Sequence, residues 1–462
     1  AAGCGYDSSS KPELAQMIGT SNIEINGVPI IQGQIVGAGQ GISGYDEIAK
    51  FTGNSNITIK TDLSTEVYGG GNISIAEGNT YINIETGTHT GDIYGGGNLG
   101  IIEGTTNVKI NGGTQNRVFG GGNQAEVTNS IVTVNDGTST EVYAGGNKAS
   151  VGVTTTYING GKVTTLFGGG NEAGVTNTKI ISNSGEVTKI FGGSNTEGDV
   201  TASEIEIIGG TIGNIYGGNN QGGTTVTTNI NVKGGNVGNV YGGGDQAAST
   251  TSNITTAGGT IENIYGGGNQ AGVTTTNITT NGGKISTIFG GSNRSGDVNE
   301  SFIITNDSEN STIDTVYGGN NQGGTTETTN VTINGGGVNN VYGGGNQAVT
   351  NLTNVNINGE VINNVFGGGN QAGVNTNTNV NLNGATVGDN VYGGGNEGTV
   401  TQNTYVIVKN SLLKNSLYAG GNGASAIVYG NVNVTMHGTT NEVTNSVFGG
   451  GNQAATGTEA TN

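Results

Sequence analysis

An aliphatic residue, an aromatic ring, two or three glycines and an asparagine recur sixteen times along this chain. The rings are Tyr68, Tyr94, Phe119, Tyr143, Phe167, Phe191, Tyr216, Tyr241, Tyr265, Phe289, Tyr317, Tyr342, Phe366, Tyr392, Tyr418 and Phe448, and successive rings stand 24 to 30 residues apart. So steady a period makes each unit one layer of a stack, because a single unit cannot bury its apolar face alone.

Each unit contains two stretches of β character. The first alternates apolar and polar residues, as at Val132 and Val134, Ile230 and Val232, or Val331 and Ile333, the period-two pattern of a strand with one buried face. The second precedes the ring and is rich in β-branched residues, as in Lys284 to Phe289. Between them lies a turn such as Asn281-Gly282-Gly283, whose glycines can take positive φ. The two prolines, Pro12 and Pro29, both precede the repeats, which leaves every repeat N–H free for sheet ladders. The expected fold is an all-β, single parallel β-solenoid of about 16–17 coils with roughly 25 residues per coil. Residues 51–462 form its repeat domain, and residues 1–50 an N-terminal cap or assembly segment.

Four residues after each ring stands Asn72, Asn98, Asn123, Asn147, Asn171, Asn195, Asn220, Asn269, Asn293, Asn321, Asn346, Asn370, Asn396, Asn422 or Asn452, with Asp245 the one exception. An amide both donates and accepts, so in-register stacking predicts a buried ladder bonded from layer to layer. The second glycine after each ring never varies, and the first yields only to Ala144 and Ala419. A steric cause is expected: a tight corner, or backbone lying against a ring. The rings themselves leave two alternatives. Neighbouring strand residues face opposite sides, so either the aliphatic column or the aromatic column points inward unless the chain bends. An exposed ring stripe would suit sugars or a neighbouring subunit.

Within residues 1–50, Ser10 to Ile18 reads as one or two helical turns, with Ser10 as N-cap and Glu13 at the capping-box position. Val36 to Gly41 reads as a degraded glycine corner. A longer period is also present. Phe191-Gly-Gly-Ser-Asn with Gly198-Asp199-Val200 recurs at Phe289 with Gly296-Asp297-Val298, and Tyr216-Gly-Gly-Asn-Asn recurs at Tyr317. A four-coil block has duplicated.

Acidic residues outnumber basic ones 33 to 14, for a formal charge of −19. Without a basic track a nucleic-acid partner is disfavoured, and the sequence shows no membrane span. Cys4 is the only cysteine, so no intramolecular disulfide can form. Ala1-Ala2-Gly3-Cys4 loosely resembles the end of a bacterial lipoprotein signal but lacks its apolar run, so Cys4 is read as an incidental or intermolecular thiol. Only His89 and His437 are present, both expected at the surface, and Asp199, Asp297 and Asp314 do not cluster. These features predict no catalysis, no metal and no cofactor. The glycine runs lack the lysine and helix of a phosphate loop. They also carry Asn and Gln where a calcium-binding repeat needs Asp. Threonine steps such as Thr154-Thr155-Thr156 and Thr274-Thr275-Thr276 are too irregular for an ice-binding rank.

The full repeat, T-N-V-x-I-N-G-G-x-V-x-x-V-Y-G-G-G-N over residues 51–452, resembles those of exported bacterial β-helical, adhesin-like and fibre-forming surface proteins. The resemblance implies an extracellular or cell-surface role. The functional expectation is a structural protein that assembles head to tail with itself into a fibre or adhesive stalk. Subunit contacts are expected at Ile23, Ile25, Val28, Ile30, Ile31, Val447 and Phe448. The alternative is a binding module that uses a repetitive face for glycan or ice.

Overall fold

The computed structural model describes residues 16–41, 43–44, 50–306 and 311–457. Regular structure among these residues is entirely β. The chain divides into two compact units, Ala1–Val226 and Thr227–Asn462, and each is a parallel β-solenoid built from the same coil.

One coil shows the logic. The strand Val151–Ile158 buries Val151, Thr154, Thr156 and Ile158 and turns the residues between them outward. Asn159-Gly160-Gly161 then reverses direction, with Gly161 at φ +70°, a conformation that costs other residues a Cβ clash. Lys162–Phe167 follows and buries Val163, Leu166 and Phe167. A glycine corner leads to Val175, which opens the next coil. Each strand pairs in parallel with its equivalent one coil away. Ser130, Thr154, Thr178 and Ser203 share one register position in the first unit, and Ser252, Thr276, Ser301, Thr329 and Thr353 share it in the second.

The core is therefore a set of columns, each with one residue per coil. Valine and isoleucine dominate them, and most are fully buried. Burying one such side chain contributes about 1.5–3 kcal/mol, and every interior coil repeats the gain against both neighbours. That is how a chain with only 5% aromatic residues and no Trp maintains a core.

The corner glycines are needed for approach rather than for positive φ. A Cβ on Gly121 would lie 2.7 Å from the amide nitrogen of Gly146, one coil on. Gly121 N also donates to Gly145 O at 3.0 Å, and Gly145 N to Gly169 O at 3.0 Å. The obstacle is the next coil's backbone together with Val151 Cγ2, also at 2.7 Å, and not a ring.

Coils begin well before residue 51. Met17–Ile18 pairs with Phe51–Thr52, Ser21–Ile25 with the strand starting at Ser55, and Ile35–Val36 with Val67–Tyr68. Gly37 to Gln40 is the glycine corner of this first coil: Asn72 N donates to Gly39 O and Ile73 N to Gln40 O. Val36 holds the ring position and Gln40 the ladder position, so a search for rings passes over this coil. The expected helical turn is corrected where it can be seen. Met17 and Ile18 are strand, because Met17 packs on the Phe51–Ala76 column. Ser10 to Ala15, and Cys4, lie outside the described residues.

Candidate functional site

The rings form one stacked column in each unit. From Tyr68 to Tyr216 their centroids are 4.6–5.0 Å apart and their planes lie within 10°. From Tyr241 to Phe448 the spacing is 4.6–5.1 Å and the planes lie within 15°. The choice between aliphatic-in and ring-in is resolved in favour of both, for Val118 and Phe119 are each fully buried. One side of the strand faces the core, and the asparagine-bearing corner folds over the ring. Asn195 Nδ2 donates to Tyr143 Oη at 3.2 Å.

Several tyrosine hydroxyls meet a carboxylate two residues earlier. Tyr68 donates to Glu66 at 2.9 Å, Tyr94 to Asp92 at 3.2 Å and Tyr143 to Glu141 at 3.1 Å. Burial first, and the neighbouring carboxylate second, push these phenols well above their ordinary range. Tyr265 and Tyr342 are pushed up to about 12 chiefly by burial. Asp92 is also gripped by Arg117, whose Nε lies 2.9 Å from Oδ1. The tyrosine–carboxylate bonds lie within one coil, and the Arg117–Asp92 pair fastens one coil to the next.

The asparagines form the ladder, with a fixed polarity. Each Nδ2 donates to the Oδ1 one coil earlier, at 2.8–2.9 Å from Asn98 to Asn220. From Asn269 to Asn452 the bonds are 2.7–3.0 Å. The first of these ends on Asp245 Oδ1, so the exceptional aspartate serves as an acceptor. The amides are less buried than expected. Asn269 and Asn293 are buried, most of the others are half-buried, and Asn452 is exposed, because the corner lies over the ring rather than inside the core.

Sequence reasoning missed a second polar column, deep in the core. Thr106, Thr154 and Thr178 donate across the coil to Gly120 O, Gly168 O and Gly192 O, each at 2.6 Å. In the second unit Thr276, Thr329, Thr353 and Thr404 do the same to Gly290, Gly343, Gly367 and Ala419 at 2.6 Å. All seven hydroxyl residues are buried. The signal was a Ser or Thr two residues before the first apolar residue of the alternating pair, as at Ser130-Ile131-Val132. Of the threonine steps weighed for ice, Thr154, Thr156 and Thr276 point inward.

One further correction concerns a polar residue. His89 is buried, not at the surface, and stands in one column with Leu63 and Gln115. Its Nε2 lies 3.0 Å from Thr61 O, and its Nδ1 is buried without a partner. Burial holds its pKa below the ordinary histidine value. His437 is exposed as expected. Asp199 and Asp297 cap backbone, accepting from Thr224 N and Thr325 N at 2.8 Å.

The last described coil differs from the interior ones. Its strands are Val432–His437, Glu442–Val443 and Val447–Phe448. Met436 is 40% exposed, Val447 47% and Phe448 43%, whereas Val408 and Leu417, one coil earlier at the positions of Met436 and Val447, are fully buried. Among the described residues nothing lies over this face. At the other end of the chain Ile25 is buried, Ile23 and Ile31 are half-buried, and Val28 and Ile30 are almost fully exposed. Comparison with protein families, characterised proteins and solved structures found no match.

Proposed function

We propose that this is a structural, non-enzymatic β-solenoid that joins copies of itself head to tail, forming a fibre or stalk outside the cell or on its surface. The observation that carries the reading is the repeated in-register pairing: Ser21–Ile25 pairs in parallel with the strand starting at Ser55, and Thr404–Lys409 with Val432–His437, by the same pattern, so a coil of one copy can continue on a coil of another. An unpaired strand edge over an apolar face is a template for another strand. A contact between two different faces propagates as a filament unless its rotation closes a ring. The first coil supplies a matching face in the same repeat pattern, with Ser21, Ile23 and Ile25 on one strand and Ile35 and Val36 on the other. The uniform polarity of the asparagine ladders favours head-to-tail stacking over tail-to-tail. The export part of the reading rests on the resemblance of the repeat to exported adhesin-like proteins.

Electron microscopy and sedimentation of the full chain test the proposal. Filaments or end-to-end oligomers are expected, with length rising with concentration. A single sedimenting species of one chain across the concentration range, with no filaments on the grid, would overturn it.

A further inference from the structure

Two outward columns of the second unit, one and three residues after the buried hydroxyl, depart from the repeat. The first reads Phe302, Asn330, Asn354, Asn379 and Tyr405 from coil to coil. The second reads Ile304, Thr332, Asn356, Asn381 and Ile407 in the same register. A ring beside an isoleucine therefore stands at each end of three coils that present only amides and a hydroxyl. The rings are four layers apart, about 19 Å at ~4.8 Å per layer. Ile304, Tyr405 and Ile407 are exposed and Phe302 is half-buried, so the solenoid core does not call for them.

The amides between the rings are only partly used. Asn354 Nδ2 donates to Asn330 Oδ1 at 3.1 Å, Asn379 Nδ2 to Asn354 Oδ1 at 3.0 Å, and Asn381 Nδ2 to Asn356 Oδ1 at 2.9 Å. The apolar pairs then interrupt both ladders. Phe302 offers Asn330 Nδ2 no acceptor, and Ile407 offers Asn381 Oδ1 no donor. An amide both donates and accepts, so an open donor faces the Phe302 end of this floor and an open acceptor faces the Tyr405 end.

Charge narrows what fits. The chain carries a formal charge of −19, yet neither column holds a charged residue over these five coils. The charged residues of the five strands, Glu300, Glu327 and Lys409, lie outside the two columns. The fold does not impose this neutrality, because the same two positions hold Lys109, Lys179, Glu204 and Glu206 in the first unit.

We propose that this face binds a neutral, linear oligosaccharide laid along the stack, with one sugar on Phe302, another on Tyr405 and the hydroxyls between them on the amide floor. A pyranose has an apolar C–H face and a rim of hydroxyls that donate and accept. An exposed ring matches the face, and open amide groups match the rim. A charged polymer would meet no counter-charge here. The site is independent of the head-to-tail reading, whose contacts fall on other coils.

An array of immobilised neutral glycans (glucans, mannans, xylans and galactans) beside uronate-rich and sulfated ones selects the probe. Soluble oligosaccharides of the neutral class retained, in increasing length, are then titrated into the full chain by calorimetry. Neutral glycans are expected to bind and charged ones to be excluded, with affinity rising until the ligand spans both rings and then levelling. Phe302→Leu and Tyr405→Leu keep an apolar side chain on the strand and remove the ring. Each is expected to weaken binding about tenfold, the upper end of what one ring contact contributes, and to leave thermal unfolding and filament formation unchanged. Tyr157→Leu, at an exposed ring of the first unit, is expected to bind as the parent does. Retention of no neutral glycan overturns the proposal, as does equal retention of charged ones. Leucine variants that bind like the parent overturn it too. If they instead abolish side-by-side association of copies while no glycan binds, the face is a contact between copies and the glycan site is wrong.

Discussion

At the scale of single residues, polar side chains are fixed by what they would orphan. Asn269 donates to Asp245 and accepts from Asn293 Nδ2, and it is buried. Asn269→Ala breaks both bonds and is expected to cost about 1–3 kcal/mol, whereas exposed Asn452→Ala should stay within about 0.5 kcal/mol. Thr276→Val keeps the shape but strands Gly290 O in the core, again about 1–3 kcal/mol, while Thr276→Ser is expected to be mild because serine holds this column in other coils. Urea unfolding of the four variants decides these together, and equal losses at 269 and 452 would contradict the ladder's graded burial. His89 gives a pH dependence. The folded chain holds it below the unfolded value of about 6.5, so below that pH the unfolded chain binds more protons. Stability from neutral His89 is therefore present above about pH 6.5 and is lost as pH falls toward the folded value. His89→Leu, which extends the column from Leu63, is expected to flatten this limb of a Tm profile between pH 7.5 and 5. A variant profile as steep as the parent's would assign the acid sensitivity elsewhere.

At the scale of the coil, the duplicated block contains a lock that appears twice. Asn320 is fully buried where most coils have a third glycine. It accepts from Ser292 N at 2.7 Å and Thr326 Oγ1 at 3.1 Å, and donates to Gly296 O at 2.9 Å and Gly323 O at 3.0 Å. Asn219 makes the same four bonds with Ser194, Thr225, Gly198 and Gly222 at 2.8–3.0 Å. Asn320→Ala empties the site and orphans four partners, so a loss of about 3–5 kcal/mol is expected, larger than for any single ladder asparagine. Thermal unfolding of Asn320→Ala beside Asn269→Ala checks the order. This lock marks the limit of what the sequence discloses. Period, strand alternation, the turn at Gly283 and the ladder positions were legible because each repeats in register. The duplicated Ser and Asn were visible as text, but their coupling across a coil was not, since it depends on a side chain filling the space a missing Cβ leaves one layer away. His89 was misread for a related reason. A lone polar residue carries no period, so nothing in the chain marks it as belonging to a core column. The first coil was hidden because Val36 and Gln40 stand where the ring and the asparagine would be.

At the scale of the whole molecule, stability in a stack is a sum over neighbouring layers, so a coil with one neighbour holds less than a coil with two. The strands Thr350–Asn358 and Thr378–Asn383 are covered on both sides, whereas Val432–His437 and Val447–Phe448 are covered, among the described residues, on one. Amide exchange in dilute solution is therefore expected to be fastest at the last coil and slowest in these interior strands, because opening an edge strand breaks one interface instead of two. The proposed head-to-tail joining would convert the edge into an interior. On raising the protein concentration, protection should rise at Val432–His437 and Val447–Phe448 and at Ser21–Ile25, while Thr350–Asn358 stays unchanged. The formal charge of −19 opposes this approach at long range. Screening shortens that repulsion to about 10 Å at 0.1 M salt and about 3 Å at 1 M, so added sodium chloride is expected to shift the onset of protection to lower protein concentration. Exchange mass spectrometry across a salt and concentration series reads both effects. Protection that appears on the strand flanks but never at the two end coils would point to side-by-side association and overturn the head-to-tail junction, since a junction must bury the open edges before it buries anything else.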